Sequence, residues 1–259
     1  MSKQDRNFDD ISEHFEKKIY GGLKGEIRLA VLRHDIFNWV TVYQKTANRP
    51  LRILDVGAGL AQISIELAKL GHDVTVNDIS ANLLNQACQN AGEISEKITW
   101  HICPYQELPK KLSGKYDLIL CHAVFEWLAE PRQMMSFFDK WLIKNGALSL
   151  CFYNPASFVY RNLIMGNFNL LNNPDFKADN KSLTPNNPVA KDDVLLWLHE
   201  HQFSVYQISG LRVFHDYSPL KRGGHSNPQA VIDMEVKYSG QEPYKWLGRY
   251  LHVLAEKTV

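Results

Sequence analysis

Residues 51–59, Leu51-Arg52-Ile53-Leu54-Asp55-Val56-Gly57-Ala58-Gly59, run from a nearly unbroken apolar segment straight into a glycine turn. Apolar side chains at consecutive positions mark a strand buried on both faces, as in a parallel sheet. The glycines allow a sharp backbone turn and leave no Cβ between the main chain and whatever approaches it. Beyond the turn, Ile63, Leu67 and Leu70 share one helical stripe, which ends at Gly71, a residue suited to a helix C-terminus. Strand, turn and helix together predict the opening of a βαβ unit.

Working outward, the same alternation repeats. Strands are expected over residues 73–76, 98–102, 116–121, 147–153, 203–214 and 250–256, with Ser80 capping a helix that carries Leu83, Leu84 and Ala87. Counting the first strand, this predicts an α/β fold: a doubly wound, mostly parallel, seven-stranded, Rossmann-like sheet. Ahead of it, residues 26–43 have helical periodicity through Ile27, Val31, His34 and Asn38, which predicts an N-terminal helical cap. After the fifth strand the pattern loosens, and residues 154–187 hold nine asparagines, a composition of turns and caps. A single domain is expected, divided into a helical cap (1–48), a cofactor-binding half (49–153), a substrate-side insertion (154–190) and the C-terminal part of the sheet (191–259).

Bulk properties exclude several classes. No apolar run in the 259 residues approaches the roughly 20 needed to span a membrane. The opening MSKQDRNFDD is too polar for a signal peptide. The four cysteines lack metal or redox spacing, and most lie in or beside strand-like runs, so free thiols, no metal and a cytoplasmic location are expected. A formal net charge of +1 gives no global basic field, although a local basic face is compatible with it.

The glycine turn alone suits several nucleotide ligands. A dinucleotide fingerprint requires a third glycine or alanine where this chain has Gln62. Asp55 is a costly carboxylate to bury unless it meets a positive group or backbone donors. S-adenosylmethionine has no pyrophosphate but carries an ammonium and a sulfonium, so an acidic turn suits it. Asp78, about 20 residues after the first glycine, stands where an acidic side chain meets a ribose diol.

The series ILDVGAG (53–59), VNDIS (76–80), YDLILCHAVFEWLAEP (116–131) and LIKNGALSL (142–150) resembles the class I S-adenosylmethionine-dependent methyltransferases. The resemblance implies a cofactor held by Asp55, Gly57, Ala58, Gly59 and Asp78. It also implies an adenine flanked by Tyr105 and Gln106, and a methionine part facing His122. Cys121 follows Leu120, without the proline that precedes the attacking thiolate of cytosine C5 methyltransferases, and no Pro-Pro-aromatic turn of the adenine N6 enzymes is present.

Segments outside those motifs are similar to the bacterial tRNA 5-carboxymethoxyuridine methyltransferase family. They are Gln4-Asp5-Arg6-Asn7-Phe8-Asp9-Asp10, Ile19-Tyr20-Gly21, Lys24-Gly25, Phe152-Tyr153-Asn154, Gly166-Asn167-Phe168, Arg212-Val213-Phe214-His215-Asp216-Tyr217, Gln241-Glu242-Pro243-Tyr244 and Leu247-Gly248-Arg249-Tyr250. Ala58 departs from that family's glycine, which is harmless if its φ is negative. The resemblance implies methyl ester formation on the wobble base of a tRNA anticodon stem-loop, with Arg28 pairing with the cofactor carboxylate. A carboxylate acceptor, with a pKa of about 4, is already anionic, so no catalytic base is expected. Tyr20, Arg212, His215, Tyr217 and Arg249 are candidates for the substrate side. Lys17-Lys18, Lys110-Lys111 and Lys221-Arg222 are candidate phosphate contacts, and Trp127, Phe158, Tyr160 and Phe168 candidate stacking faces. A small-molecule O- or N-methyltransferase is the competing reading, and a non-catalytic cofactor-binding subunit a third.

Overall fold

The computed structural model describes Asp5, residues 21–172, Pro185, residues 187–218 and residues 222–259. Tyr20, Lys17, Lys18 and Lys221 lie outside the described residues, as does most of the N-terminal segment. Seven strands form one sheet: β1 (Arg52–Val56), β2 (Asp73–Asp78), β3 (Ile98–Ile102), β4 (Tyr116–His122), β5 (Leu142–Tyr153), β6 (Phe203–Leu211) and β7 (Tyr250–Lys257). Their spatial order is β3-β2-β1-β4-β5-β7-β6, and only β7 runs against its neighbours. This is the doubly wound, mostly parallel sheet that the alternation predicts. The chain steps outward from β1 to β3 and then returns to β4, so the crevice between the C-terminal ends of β1 and β4 is the switch point where such sheets bind ligands.

Helices cover both faces. On one side lie α1 (Gly22–Ala47), α2 (Gln62–Lys69) and α3 (Ala81–Ala91), contributing residues such as Val31, Ile36, Leu67 and Leu84 to the core. On the other lie α4 (Gln133–Trp141), with Met134 and Phe138, and a later helix over Lys191–Glu200, with Val194 and Leu198. Ser80 caps α3 as predicted, its Oγ accepting the Leu83 N–H at 3.2 Å.

Three expectations need correction. The buried stripe of α1 is Ile27, Val31, Asp35 and Trp39 with Arg28, Leu32, Ile36 and Val40, while His34 and Asn38 face solvent. The stripe advances by three or four residues from Val31 to Asp35, and reading it onto His34 rotated the outer half of the helix. Strand β5 begins at Leu142, because the chain makes a left-handed kink at Asn145 (φ 61°) and resumes pairing with β4 beyond it. Strand β6 stops at Leu211, because Arg212 is left-handed (φ 61°). The N–H groups of Val213, Phe214 and His215 then turn to the buried Glu235 carboxyl at 2.7, 3.2 and 2.8 Å instead of to a neighbouring strand. Among the described residues, no helix is long and apolar enough to cross a membrane.

Candidate active site

The glycine turn is pinned to the end of β2. Gly57 and Ala58 donate their N–H groups to the Asn77 carbonyl at 2.9 and 3.0 Å, and Gly59 donates to Asp78 Oδ2 at 2.8 Å. The other Asp78 oxygen accepts the Ser80 N–H at 2.8 Å. Gly57 (φ 68°) and Gly59 (φ 56°) are both left-handed, whereas Ala58 is not, so alanine in place of the family's glycine costs nothing there. A Cβ at Gly57 would stand 2.5 Å from Val124 Cγ2. The bare backbone is therefore needed for close packing as well as for its conformation.

Two adjoining chambers open from this turn. The larger is lined by Gly57, Gly59, Asp78, Ile79, Pro104, Tyr105, Gln106, Val124 and Trp127, and Asp5 closes its edge. Asp5 bridges the walls, accepting from Gln106 Nε2 at 2.7 Å and from the Ala129 N–H at 2.9 Å. The smaller chamber is lined by Arg28, Asp55, Ala58, Gln62 and His122, of which Arg28 and His122 reach both.

The polar groups of the smaller chamber suit an amino-acid moiety. Asp55 is buried, and burial pushes its carboxyl up to about 7, with the Ser64 hydroxyl at 2.6 Å opposing that rise and the Asp78 charge adding to it. Gln62 Oε1 is buried with no hydrogen-bond partner among the described residues. A carboxylate and an unsatisfied amide oxygen facing Arg28 offer acceptors to an ammonium and a cation to a carboxylate. The chambers therefore fit S-adenosylmethionine, with an apolar slot for an adenosine and Asp78 at its rim. His122 is held neutral, its pKa well below the ordinary histidine value through burial first, with the neighbouring His252 and Arg28 adding to the fall.

Beyond His122, at the ends of β5 and β7, cations gather over aromatic rings. The Arg28 and Arg212 guanidinium carbons lie 5.5 and 5.7 Å from the centre of the same Tyr250 ring, and that of Arg249 lies 4.9 Å from the Tyr153 ring. The two tyrosines meet edge to face at 5.7 Å. Arg212 also pairs with the buried Asp216 at 3.5 Å. Beneath this cluster Glu126 is buried, and among the described residues neither of its oxygens has a hydrogen-bond partner of good geometry. Burial raises its carboxyl to about 7, offset only in part by nearby backbone N–H groups and Arg28. The thiols near the cluster are inert: burial pushes Cys151 up to about 12 and Cys121 well above the ordinary thiol range.

Of the residues expected at the donor site, Arg28, Gly57, Gly59, Asp78, Tyr105, Gln106 and His122 line the larger chamber, with Asp55 and Ala58 in the smaller. Arg212 and Arg249 both lie in the arginine–tyrosine cluster, over Tyr250 and Tyr153 respectively. Tyr217 spends its hydroxyl on the Leu247 carbonyl and packs its ring on Tyr160 at 5.1 Å, so it forms a wall. His215 is buried, its N–H tied to Glu235. Trp127 lines the donor chamber instead of an outer stacking face. Sequence reasoning passed over Gln62, Glu126, Tyr153 and Tyr250; the signal for Gln62 was present, because the missing third glycine is the residue that supplies the orphan oxygen.

Comparison with known proteins gives the same reading from a separate direction. Residues 54–150 match the family described as "Methyltransferase domain". The tRNA 5-carboxymethoxyuridine methyltransferases of Escherichia coli K12 and O157:H7 are each 38% identical over 256 residues, covering 98% of this chain and 97% of theirs. A ubiquinone biosynthesis O-methyltransferase of Bordetella avium is 30% identical over 112 residues, 42% of this chain and 46% of its own. Among solved structures, magnesium protoporphyrin IX methyltransferase from Synechocystis PCC 6803 with bound SAH shares the fold at a TM-score of 0.60 and 17% identity, covering 96% of this chain and 95% of that one. A likeness running through nearly the whole length of both chains, and not only through the donor half, decides the matter: this chain belongs to the tRNA 5-carboxymethoxyuridine methyltransferase family of class I S-adenosylmethionine-dependent methyltransferases.

Proposed function

We propose that the protein methylates the carboxylate of 5-carboxymethoxyuridine at the wobble position of tRNA, giving the methyl ester. The observation that carries this reading is the gathering of Arg28, Arg212 and Arg249 over Tyr153 and Tyr250, in a cluster whose Arg28 also lines both donor chambers. Such a cluster favours an anionic acceptor and would repel an amine. The Escherichia coli relatives matched along nearly their whole length are methyltransferases of tRNA 5-carboxymethoxyuridine, which supports the same substrate.

The chemistry asks little proton handling of the chain. S-adenosylmethionine, when bound, supplies an electrophilic methyl group. In this reading Asp55 and Gln62 hold its ammonium, Arg28 its carboxylate and Asp78 its ribose, while Tyr105 and Gln106 flank the adenine. A carboxylate acceptor is ionised well below neutral pH, so the neutral His122 and the unreactive Cys121 and Cys151 leave nothing undone. Arg212 and Arg249 orient the anion, and enclosure excludes water that would otherwise blunt its nucleophilicity. The hydroxyl of Tyr250, pushed up to about 12 by burial, stays protonated and can only donate to it. Lys110, Lys111 and Arg222 are exposed and available to phosphates.

The test is transfer of labelled methyl from S-adenosylmethionine to tRNA bearing 5-carboxymethoxyuridine. The expected product is a base-labile ester, with Arg249→Ala lowering turnover about 100-fold at unchanged cofactor affinity. A protein that binds cofactor but transfers nothing to that tRNA would overturn the reading.

A further inference from the structure

A row of buried polar side chains crosses the α1 face of the sheet and ends at His122. His122 Nε2 lies 2.8 Å from Ser149 Oγ, Ser149 Oγ lies 2.8 Å from His252 Nε2, and His252 Nδ1 lies 2.8 Å from Asp35 Oδ2. Ser149 and His252 are fully buried and Asp35 is 1% exposed. Strand alternation explains the row: residues 122 on β4, 149 on β5 and 252 on β7 all point toward α1, which brings Asp35 to its far end. So much buried polarity within the apolar core on the α1 side of the sheet is costly and needs a reason.

We propose that Asp35, His252 and Ser149 are positioning residues that fix the tautomer of His122, so that its Nδ1 meets the methyl donor's ammonium as a hydrogen-bond acceptor. This rests on the donor half of the reading above and not on the acceptor. The direction follows from one fixed end. Asp35 Oδ1 accepts from Gln207 Nε2 and Oδ2 faces His252 Nδ1, and in spite of burial the carboxyl is held below its ordinary range by its hydrogen bonds, so it only accepts. His252 therefore carries its proton on Nδ1. We take the His252 ring in its neutral form, in which Nε2 is bare and takes the Ser149 hydroxyl proton, leaving the Ser149 oxygen to accept from His122 Nε2–H. A neutral ring carries one N–H, so His122 Nδ1 is a lone pair. Were the row reversed, His122 would offer an N–H to a cationic ligand.

The experiment is nitrogen NMR of the full-length protein labelled in histidine, with the His122 signals assigned by their loss in His122→Asn. The expected wild-type pattern is a protonated Nε2 and a bare Nδ1. Ser149→Ala, a small change at a buried position, should mix the tautomers, and Asp35→Asn should reverse them. Each should weaken S-adenosylhomocysteine binding by about tenfold with an unchanged far-ultraviolet spectrum. A wild-type His122 protonated on Nδ1 would overturn the proposal. So would a folded Ser149→Ala protein that keeps both the tautomer and the affinity. The predicted tautomer and affinities in a protein that methylates no tRNA would leave the relay standing and remove only the acceptor reading.

Discussion

Asp55 and Gly57 show how much a single position carries in this cleft. Replacing Gly57 by alanine forces an L side chain into the left-handed region and drives its Cβ into Val124, which lines the donor chamber. The conformational penalty alone is about 1–2 kcal/mol. Urea unfolding should show at least that loss, and calorimetry should show a still larger loss of cofactor affinity, because Val124 has nowhere to retreat except into the slot. Asp55 makes a different kind of prediction. Its carboxyl sits near 7 in the free protein, against the ordinary 3.8, so through mildly acidic pH it holds a proton that an unfolded chain would have lost. Pairing with an ammonium pulls that value down, so binding near pH 6 should expel a proton, and binding well above neutral should expel none. Calorimetry in buffers of different ionisation enthalpy measures this, with Asp55→Asn abolishing the difference. Equal heats near pH 6 in all buffers would remove Asp55 from the ammonium site.

At the scale of elements, what the sequence made legible was what local periodicity controls. The apolar run of β1, the Ser80 cap and the acidic end of β2 were readable because each depends on neighbours within a turn or two. The misplaced ends of β5 and β6 depend on left-handed residues: Asn145, followed by Gly146, carries a local turn signal that reads as the edge of the strand instead of a kink within it, whereas the Arg212 side chain gives no local warning. Glu126 and Tyr250 escaped notice for a related reason. Nothing near them in the chain distinguishes a buried carboxyl from a solvated one, and only the packing of β5 beside β7 brings them near the arginines. The opposite end of the sheet separates stability from function. Asp117, at the start of β4, is 1% exposed and accepts both Arg49 Nη atoms at 2.7 Å and the Arg52 N–H at 2.8 Å. Arg49 is half exposed, which discounts the ion pair, so Asp117→Ala should cost about 2 kcal/mol in urea unfolding. Cofactor affinity should be untouched, since the cleft lies at the other end of the strand.

Across the whole molecule, the donor chambers and the proposed acceptor site draw on different stretches of chain. The donor chambers are built mostly from residues 55–128, with α1 lending Arg28 and the N-terminal segment Asp5, and a local reading recovers most of them. The proposed acceptor site adds Tyr153, Arg212, Arg249 and Tyr250, which are distant in sequence and meet only because β7 runs backwards and so begins where β5 ends. That reversed strand also governs how the protein is made. It follows β6 in the chain yet sits between β5 and β6, so while a ribosome is still working through residues 203–249 the inner edge of β5 has no partner. An apolar strand edge left open for that long invites pairing with other chains. A chain cut before residue 250 should therefore aggregate instead of yielding a smaller cofactor-binding domain, which light scattering of the truncated protein would measure.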